Sequence, residues 1–309
     1  MTGVPEVEGP VLEIVTPGPL TTVQDLGRPG LASLGVGRSG AADRAALRLA
    51  NRLVGNPESA AALEVTLGGL VARFSSSATV ALTGAPCPVT VGDRQGFVNG
   101  PLSVHAGELL ELGVPERGLR TYLAVRGGLD VPEVLGSRAT DVLSGVGPEP
   151  VQAGTRLPLG RAHGDWHAVD QAPVARLPDE QVLRVVPGPR DDWFTAAALM
   201  LLGTATYTVS PQSNRIGLRF DGPPLERAQL AELPSEGMVR GAVQVPSDGK
   251  PVLFLADHPV TGGYPVIGVV EPDDVDLAAQ ARPGDRVSFR WSGRSPAPGR
   301  PAHGRTLSR

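Results

Sequence analysis

Short apolar runs, separated by glycine, proline and aspartate, recur along the chain and predict many short strands. In the first half six such runs follow one another closely, at residues 62–67, 70–74, 78–82, 88–91, 108–112 and 119–125. Short strands with turn residues between them and little helix are typical of a closed barrel or a sandwich. The pattern therefore predicts a mainly β protein.

A second series of strands centres on a predicted hairpin. Apolar and polar residues alternate from Met238 to Val245, and the apolar run 251–256 follows. Residues 246–249, Pro-Ser-Asp-Gly, form a turn sequence in which the aspartate can close an Asx-turn and the glycine can take positive φ. Further strands are predicted at residues 182–186, 204–210, 216–220 and 286–291.

A few short helices interrupt the strands. The first is predicted over residues 41–54, because Ser39 can cap it and alanine and leucine line one face. Asp43 lies in its first turn, where the helix dipole favours a carboxylate and where capping would be a purely structural role. The other two are predicted at residues 193–202, capped by Asp191 or Asp192, and within 273–281.

We expect the chain to form two domains and to lie in the cytoplasm. The polar segment 163–178 is interpreted as a link, so residues 1–175 and 176–293 are the expected domains. Residues 294–309 contain arginine and proline without any acidic residue, and we expect them to be disordered. Cys87 is the only cysteine, which excludes an internal disulfide and fits a reducing cytoplasm.

Charge and motif content exclude several functions. A net charge of −4 gives no electrostatic case for nucleic acid or an anionic membrane, and no run approaches the ~20 apolar residues of a membrane span. No histidine spacing suggests zinc, and no Gly-x-Ser-x-Gly motif suggests a serine hydrolase. Lys250 is the sole lysine, without a Walker A sequence or a Met-Lys pair around it. We therefore expect no covalent biotin here, and any ATP machinery must lie at least partly on other chains.

Polar or glycine-rich loops follow several predicted strands, at residues 21–28, 126–128, 213–215, 235–236 and 257–264. Arginine in such loops can bind carboxylate or phosphate, and glycine lets the main chain approach a ligand closely. Each loop taken alone is better explained by turn geometry and a solvated charge. Their repetition at strand ends is what suggests a site.

Seven segments, taken in order, resemble the biotin-dependent carboxyltransferase-like family. They are TTVQDLGRPG, SGAADRAALRLANRLVGN, LEVTLGG, YLAVRGGLDVPEVLGSRATD, VSPQSNRIGLRFDGPPL, SEGMVRGAVQVP and ADHPVTGGYPVIG, at residues 21–30, 39–56, 63–69, 122–141, 209–225, 235–246 and 256–268. The family includes the C subunit of 5-oxoprolinase, allophanate hydrolase subunit 2, the antagonist of a sporulation-kinase inhibitor, and the urea carboxylase carboxyltransferase domain. Val260 stands where many members have a threonine, so this chain offers no side-chain hydroxyl at that position.

The resemblance implies two cyclophilin-like β-barrel domains with a cleft between them. It implies the C subunit of an ATP-dependent 5-oxoprolinase, inactive alone, which opens 5-oxoproline to glutamate together with a B subunit of related fold and an A subunit. ATP would then be bound with the partner subunits. Two alternatives remain open: a non-catalytic partner of a kinase inhibitor, and a carboxyltransferase of the urea carboxylase or allophanate hydrolase type working with a separate biotin carrier.

The candidate site combines the polar loops with this resemblance. Asp257 and Glu236 are the candidate catalytic residues, and no metal ligand is expected. The candidate substrate-binding residues are Thr22, Gln24, Asp25, Arg28, Ser213, Asn214, Arg215, Gln244, Thr261, Gly262, Gly263 and Tyr264. We expect loops 21–28, 213–215 and 257–264 to converge in the cleft.

Overall fold

The computed structural model describes residues 9–162, 166, 171–174 and 176–293. The mainly β prediction is confirmed, because strands dominate these ranges and the three α-helices have only seven to ten residues. The chain divides into two compact units, residues 1–177 and 178–309. The predicted disordered tail, 294–309, lies outside the described residues. Among the described helices, each is too short or too polar to cross a bilayer.

The first unit contains two antiparallel sheets and one helix. Its strands are β1 (Val11–Pro17), β2 (Leu20–Gln24), β3 (Ala62–Thr66), β4 (Leu70–Phe74), β5 (Ala78–Gly84), β6 (Val89–Val91), β7 (Arg94–Gln95), β8 (Pro101–Val104), β9 (Leu109–Leu112), β10 (Arg120–Val125) and β11 (Arg156–Pro158), and its helix is α1 (Arg44–Leu53). The six-stranded sheet has the order β11-β1-β4-β9-β6-β7, and the five-stranded sheet has the order β2-β3-β10-β5-β8.

The core of this unit lies between the two sheets. Side chains of both sheets, such as Leu12 and Leu123, form one buried apolar cluster. Residues that alternate with these point to the other face of the five-stranded sheet, where Ala124 packs with Leu47 of α1. Strand β10 is therefore covered on both faces, which explains why all six of its residues are buried.

Helix α1 begins later than predicted, and its cap is different. The Asp43 carboxylate accepts a hydrogen bond from the Ala46 N–H and is the N-cap, so the prediction of Ser39 was wrong. Ser39 instead has φ 53° and donates its hydroxyl to the Thr140 carbonyl at 3.1 Å. The capping role considered for Asp43 is thus the observed one.

The second unit is a closed seven-stranded barrel. Its strands are β12 (Glu180–Pro187), β13 (Thr206–Val209), β14 (Gly217–Asp221), β15 (Glu236–Gly237), β16 (Ala242–Gln244), β17 (Val252–Phe254), β18 (Thr261–Gly262), β19 (Val266–Val270) and β20 (Arg286–Trp291), and its helices are α2 (Ala196–Leu202) and α3 (Pro272–Ala278). The barrel order is β12-β19-β16-β17-β14-β13-β20, with β12 and β20 parallel, while β15 and β18 pair separately. Tyr207, Phe220 and Phe289 fill the interior in edge-to-face contact.

The predicted hairpin is confirmed. Strands β16 and β17 pair antiparallel, and the Asp248 carboxylate accepts the Lys250 N–H while Gly249 takes φ 76°. Helix α2 is shorter than predicted, because residues 191–193 form a separate 3-10 turn and the Thr195 hydroxyl caps the helix at Ala198. Asp191 and Asp192 are therefore not its N-cap.

Candidate functional site

The predicted loop around Asp25 is buried against a distant segment of the first unit. The Asp25 carboxylate accepts hydrogen bonds from the Gly27 N–H, the Ser137 hydroxyl and the Arg138 N–H, each at 2.7 Å. Both carboxylate oxygens are thereby hydrogen-bonded. Asp25 therefore fixes the loop to residues 137–138.

Gln24 and Arg28 reach the same distant segment. The Gln24 amide donates to the Thr22 hydroxyl at 3.0 Å and to the Thr140 carbonyl at 2.9 Å. The Arg28 guanidinium donates to the Ala139 carbonyl, and its side chain is almost completely buried. The four candidate residues of this loop thus come together in one polar cluster of the first unit.

A second buried network anchors the start of α1. The Glu64 carboxylate accepts hydrogen bonds from the Ala42 N–H and the Tyr122 hydroxyl, and it lies 3.3 Å from Nε of Arg120. The Tyr122 hydroxyl in turn accepts the Asp43 N–H at 2.8 Å. Burial and the nearby carboxylates raise the pKa of Tyr122 well above its usual value, so the phenol stays neutral and can donate.

Arg215 and Asp257 form a buried, two-pronged ion pair in the second unit. Nε and Nη2 of Arg215 lie 2.9 and 3.2 Å from the two carboxylate oxygens of Asp257. Both side chains are at most 1% exposed. The charge of each is therefore compensated by the other, and the pair fixes the start of loop 257–264.

Ser213 and Asn214 have turn contacts beside this pair. The Ser213 hydroxyl accepts the Arg219 N–H at 3.0 Å, and the Asn214 side-chain carbonyl accepts the Ile216 N–H at 2.8 Å. Such contacts are those of side chains that close turns in the backbone. These contacts place Arg215 in a tight turn.

Glu236 lies beside Gly262 of loop 257–264, and Arg190 holds its carboxylate. It pairs with Gly262 in the short ladder of β15 and β18, where Gly237 pairs with Thr261. Its carboxylate accepts bidentate hydrogen bonds from the Arg190 guanidinium, and these bonds raise the pKa of that arginine. Glu236 is partly exposed, so its oriented carboxylate remains reachable from solvent.

Tyr264 and Gln244 complete this end of the barrel. The Gln244 amide donates to the Tyr264 carbonyl at 3.0 Å, and the guanidinium of Arg227 lies over the tyrosine ring, 5.6 Å from its centroid. A Cβ added to Gly262 would approach Nε2 of Gln244 to 2.7 Å, whereas one on Gly263 would meet nothing closer than 3.7 Å. A methyl group at Gly262 would therefore displace the end of the Gln244 side chain, whereas one at Gly263 has room.

The structure brings the sequence-predicted residues together in two groups, one in each unit. Thr22, Gln24, Asp25 and Arg28 belong to the first group, and the others belong to the second; convergence of loops from both units stays a prediction. Sequence reasoning missed Arg190 and Arg227. The only signal for Arg190 was its place directly after the Pro-Gly-Pro sequence of residues 187–189, which also occurs at residues 17–19. Over the described residues no cluster of three or more His, Cys, Asp or Glu side chains is placed to hold a metal ion.

Comparison with known proteins assigns the family. The model of the family described as "Carboxyltransferase domain, subdomain A and B" matches residues 34–291. This chain belongs to that family. The resemblance inferred from the sequence motifs is thereby confirmed.

Three relatives illustrate the range of the family. The chain is 39% identical over 282 residues to the C subunit of 5-oxoprolinase from Escherichia coli, covering 90% of each protein. It is 35% identical over 271 residues to the C subunit of 5-oxoprolinase from Haemophilus influenzae, covering 87% of each. The crystal structure of the K. lactis urea amidolyase matches with a TM-score of 0.85 and 31% identity, over 90% of this chain but only 18% of that one.

Proposed function

We propose that this chain is the C subunit of an ATP-dependent 5-oxoprolinase. The observation that carries the proposal is its 39% and 35% identity, over nearly full length, to two proteins named as the C subunit of 5-oxoprolinase. The reaction class is the ATP-coupled hydrolysis of a lactam. The chain works with an A subunit and a B subunit and is inactive without them.

Coupling to ATP makes an otherwise uphill lactam opening possible. Transfer of the γ-phosphoryl group to the lactam oxygen turns the ring carbonyl carbon into a better electrophile. Water then adds to that carbon, and the C–N bond breaks as the nitrogen takes up a proton, which leaves an acyl phosphate; a second water then displaces phosphate from it. With hydrolysis of the phosphoryl group included, ATP, 5-oxoproline and two water molecules give ADP, phosphate and glutamate. We place ATP with the partner subunits.

Glu236 is the better of the two candidate proton acceptors. A general base must reach the proton that it removes, directly or through one water. The Asp257 carboxylate is buried and already paired with Arg215, whereas Glu236 is partly exposed and oriented by Arg190. We therefore assign proton transfer to Glu236, and we assign Asp257 the positioning of loop 257–264.

The residues around Glu236 would bind the substrate. Gln244 and Tyr264 hold the end of the loop, Thr261 is exposed, and Gly262 and Gly263 leave the main chain open to a close approach. Backbone N–H groups and arginine that face a developing oxyanion stabilise it most when they are preorganised. At this end of the barrel, Arg190 and the backbone of residues 261–263 would supply these donors.

The experiment compares Glu236→Gln with a matched control, Glu232→Gln, in the complex reconstituted with the A and B subunits. Glu232 is an exposed glutamate four residues earlier on the same segment. Loss of a general base typically costs ~10²–10⁴ in rate, so we expect kcat for glutamate formation to fall by about that factor only in the Glu236 variant. Equal kcat for both variants would refute the assignment of Glu236.

A second candidate function is carboxyl transfer with a separate biotin carrier. It is favoured by the similarity of this chain to part of the K. lactis urea amidolyase. The test supplies the chain with a biotin carboxylase, its biotinylated carrier, bicarbonate, ATP and urea. Formation of carboxylated urea that depends on this chain would favour this function, and glutamate formation with the A and B subunits would favour the first.

A further inference from the structure

The first unit contains a cavity of about 500 Å³, lined by two of its loops and by the segment that ends the unit. Its apolar wall is formed by Pro86, Cys87, Pro88, Val174 and Leu177. None of the residues that line the cavity belongs to the candidate site described above. Sites for small organic molecules span ~300–1,000 Å³ and are mostly apolar. The cavity therefore has the size and the character of a ligand site.

The segment beside the cavity is tied to the rest of the unit at both ends. At one end the Ala172 N–H donates to the Asn99 carbonyl at 2.7 Å, and the Asn99 amide donates to the Pro173 carbonyl at 2.9 Å. At the other end Nη1 of Arg117 donates to the Leu177 carbonyl at 2.9 Å. The cavity therefore has walls that are fixed by hydrogen bonds.

Three charged side chains line the same cavity, those of Glu116, Arg117 and Arg176. Two arginines against one glutamate give the lining a net charge of +1. All three residues are exposed, so their charges lie where the cavity meets solvent. Arg117 is engaged by the Leu177 carbonyl, whereas within the described part of the chain Arg176 takes part in no ion pair.

This lining specifies an amphipathic anion. The apolar wall stabilises a hydrocarbon body by removing it from water, and Pro86 and Pro88 have no backbone N–H to donate to a polar one. The planar guanidinium of Arg176 suits a carboxylate, because it can donate two parallel hydrogen bonds. A second negative charge on the ligand would meet Glu116, and a cationic ligand would meet two arginines. The chemistry therefore favours one carboxylate on an apolar chain.

We propose that this cavity binds a monocarboxylic acid of the medium-chain fatty acid class. The carboxylate accepts hydrogen bonds from Arg176, and the hydrocarbon chain lies against the apolar wall. Binding is non-covalent, and the Cys87 thiol serves only as part of the wall. The inference goes beyond the proposed function and does not depend on it.

The first test is calorimetry of the full chain with hexanoate, heptanoate and octanoate. Affinity should rise about fourfold for each CH₂ added, as expected when the added carbon is buried. Octylammonium has the same chain as octanoate and the opposite charge, and it should not bind. The inference is overturned if octanoate does not bind, or if octylammonium binds equally well, because the charge of the lining would then have no role.

Two variants test the two parts of the site. Arg176→Gln removes the exposed charge, and the affinity for octanoate should fall about fivefold, as for a solvent-exposed ion pair. Arg156→Gln is its matched control, because Arg156 is an exposed arginine of the same unit that does not line the cavity. Val174→Trp fills the cavity from a position that is 45% exposed, so octanoate binding should be lost while Tm stays the same. Wild-type affinity in Arg176→Gln or in Val174→Trp would overturn the inference.

Cys87 reports directly on occupancy, because it lines the cavity and is the only cysteine of the chain. Burial raises the pKa of its thiol, so its alkylation by N-ethylmaleimide is followed at alkaline pH, where more thiolate is present. Octanoate should slow this reaction in a saturable way, with half-protection at the Kd from calorimetry, and should give no protection in urea-unfolded chain. An alkylation rate that octanoate does not change would place the acid elsewhere and would overturn the inference.

Discussion

The ion pair of Arg215 and Asp257 allows a direct test of how the loop of the candidate site is built. Arg215→Met removes the guanidinium and keeps a long apolar side chain in its place. Two hydrogen bonds, of 2.9 and 3.2 Å, are lost, and the Asp257 carboxylate stays buried without this partner. Asp257→Leu makes the reciprocal change.

The expected magnitude follows from burial. Breaking a buried ion pair by removing one partner costs about 3–5 kcal/mol, because the remaining charge is left uncompensated. Replacing both partners by apolar residues costs much less, since no buried charge is left. Each single variant should therefore lose about 3–5 kcal/mol in its free energy of unfolding, and the double variant should lose far less than the sum.

The assay is urea unfolding of the full chain, followed by tryptophan fluorescence and circular dichroism. Lys250→Met is the control, because Lys250 pairs with Asp221 at 2.8 Å but both side chains are about half exposed. Such a pair contributes about 0–1 kcal/mol. The reasoning is refuted if Arg215→Met keeps wild-type stability and loses only activity, since Arg215 would then contact the ligand.

Two further predictions concern the glycines of loop 257–264 and the stability of the protein in acid. Gly262→Ala should raise KM for 5-oxoproline in the complex, because the new methyl group displaces the Gln244 amide. Gly263→Ala should leave KM unchanged, because that position has room for a methyl group. Equal effects of the two variants on KM would contradict this reasoning. Burial opposes ionisation of Asp274, but hydrogen bonds from Arg184 outweigh it and lower the pKa of that carboxyl. A lowered pKa contributes stability above the unfolded value of about 4 that is lost as pH falls through the folded value. Asp274→Asn should therefore lower the urea midpoint at pH 7 and flatten its fall below about pH 4; an unchanged acid profile would contradict this.

Strand positions could be predicted where the local pattern decides them. Predicted ranges 70–74 and 286–291 agree with the observed strands, because alternating burial leaves little choice of register. For the cap of α1, the capping role considered for Asp43 is the observed one, but the role predicted for Ser39 failed for a reason that local sequence does not contain. Ser39 is engaged by the carbonyl of Thr140, which lies 101 residues further along the chain. Propensity for a cap was overridden by a tertiary contact.

The partners of the candidate site residues could not be predicted from local sequence either. Sequence patterns singled out Arg215, Asp257 and Glu236, but not which charge each of them meets. Arg215 and Asp257 are 42 residues apart, and Glu236 is 46 residues from Arg190. Only folding of the barrel brings these partners together, and that pairing changes the interpretation of Asp257 from a candidate base to a positioning residue.

Under the proposed function, this chain is a necessary subunit of an ATP-dependent 5-oxoprolinase and does nothing alone. The most direct measurement is glutamate formation from 5-oxoproline and ATP by the chain alone, by the A and B subunits without it, and by all three together. We expect glutamate, with matching ADP release, only when all three are present. Turnover by this chain alone, or full turnover by the A and B subunits without it, would contradict the proposed function.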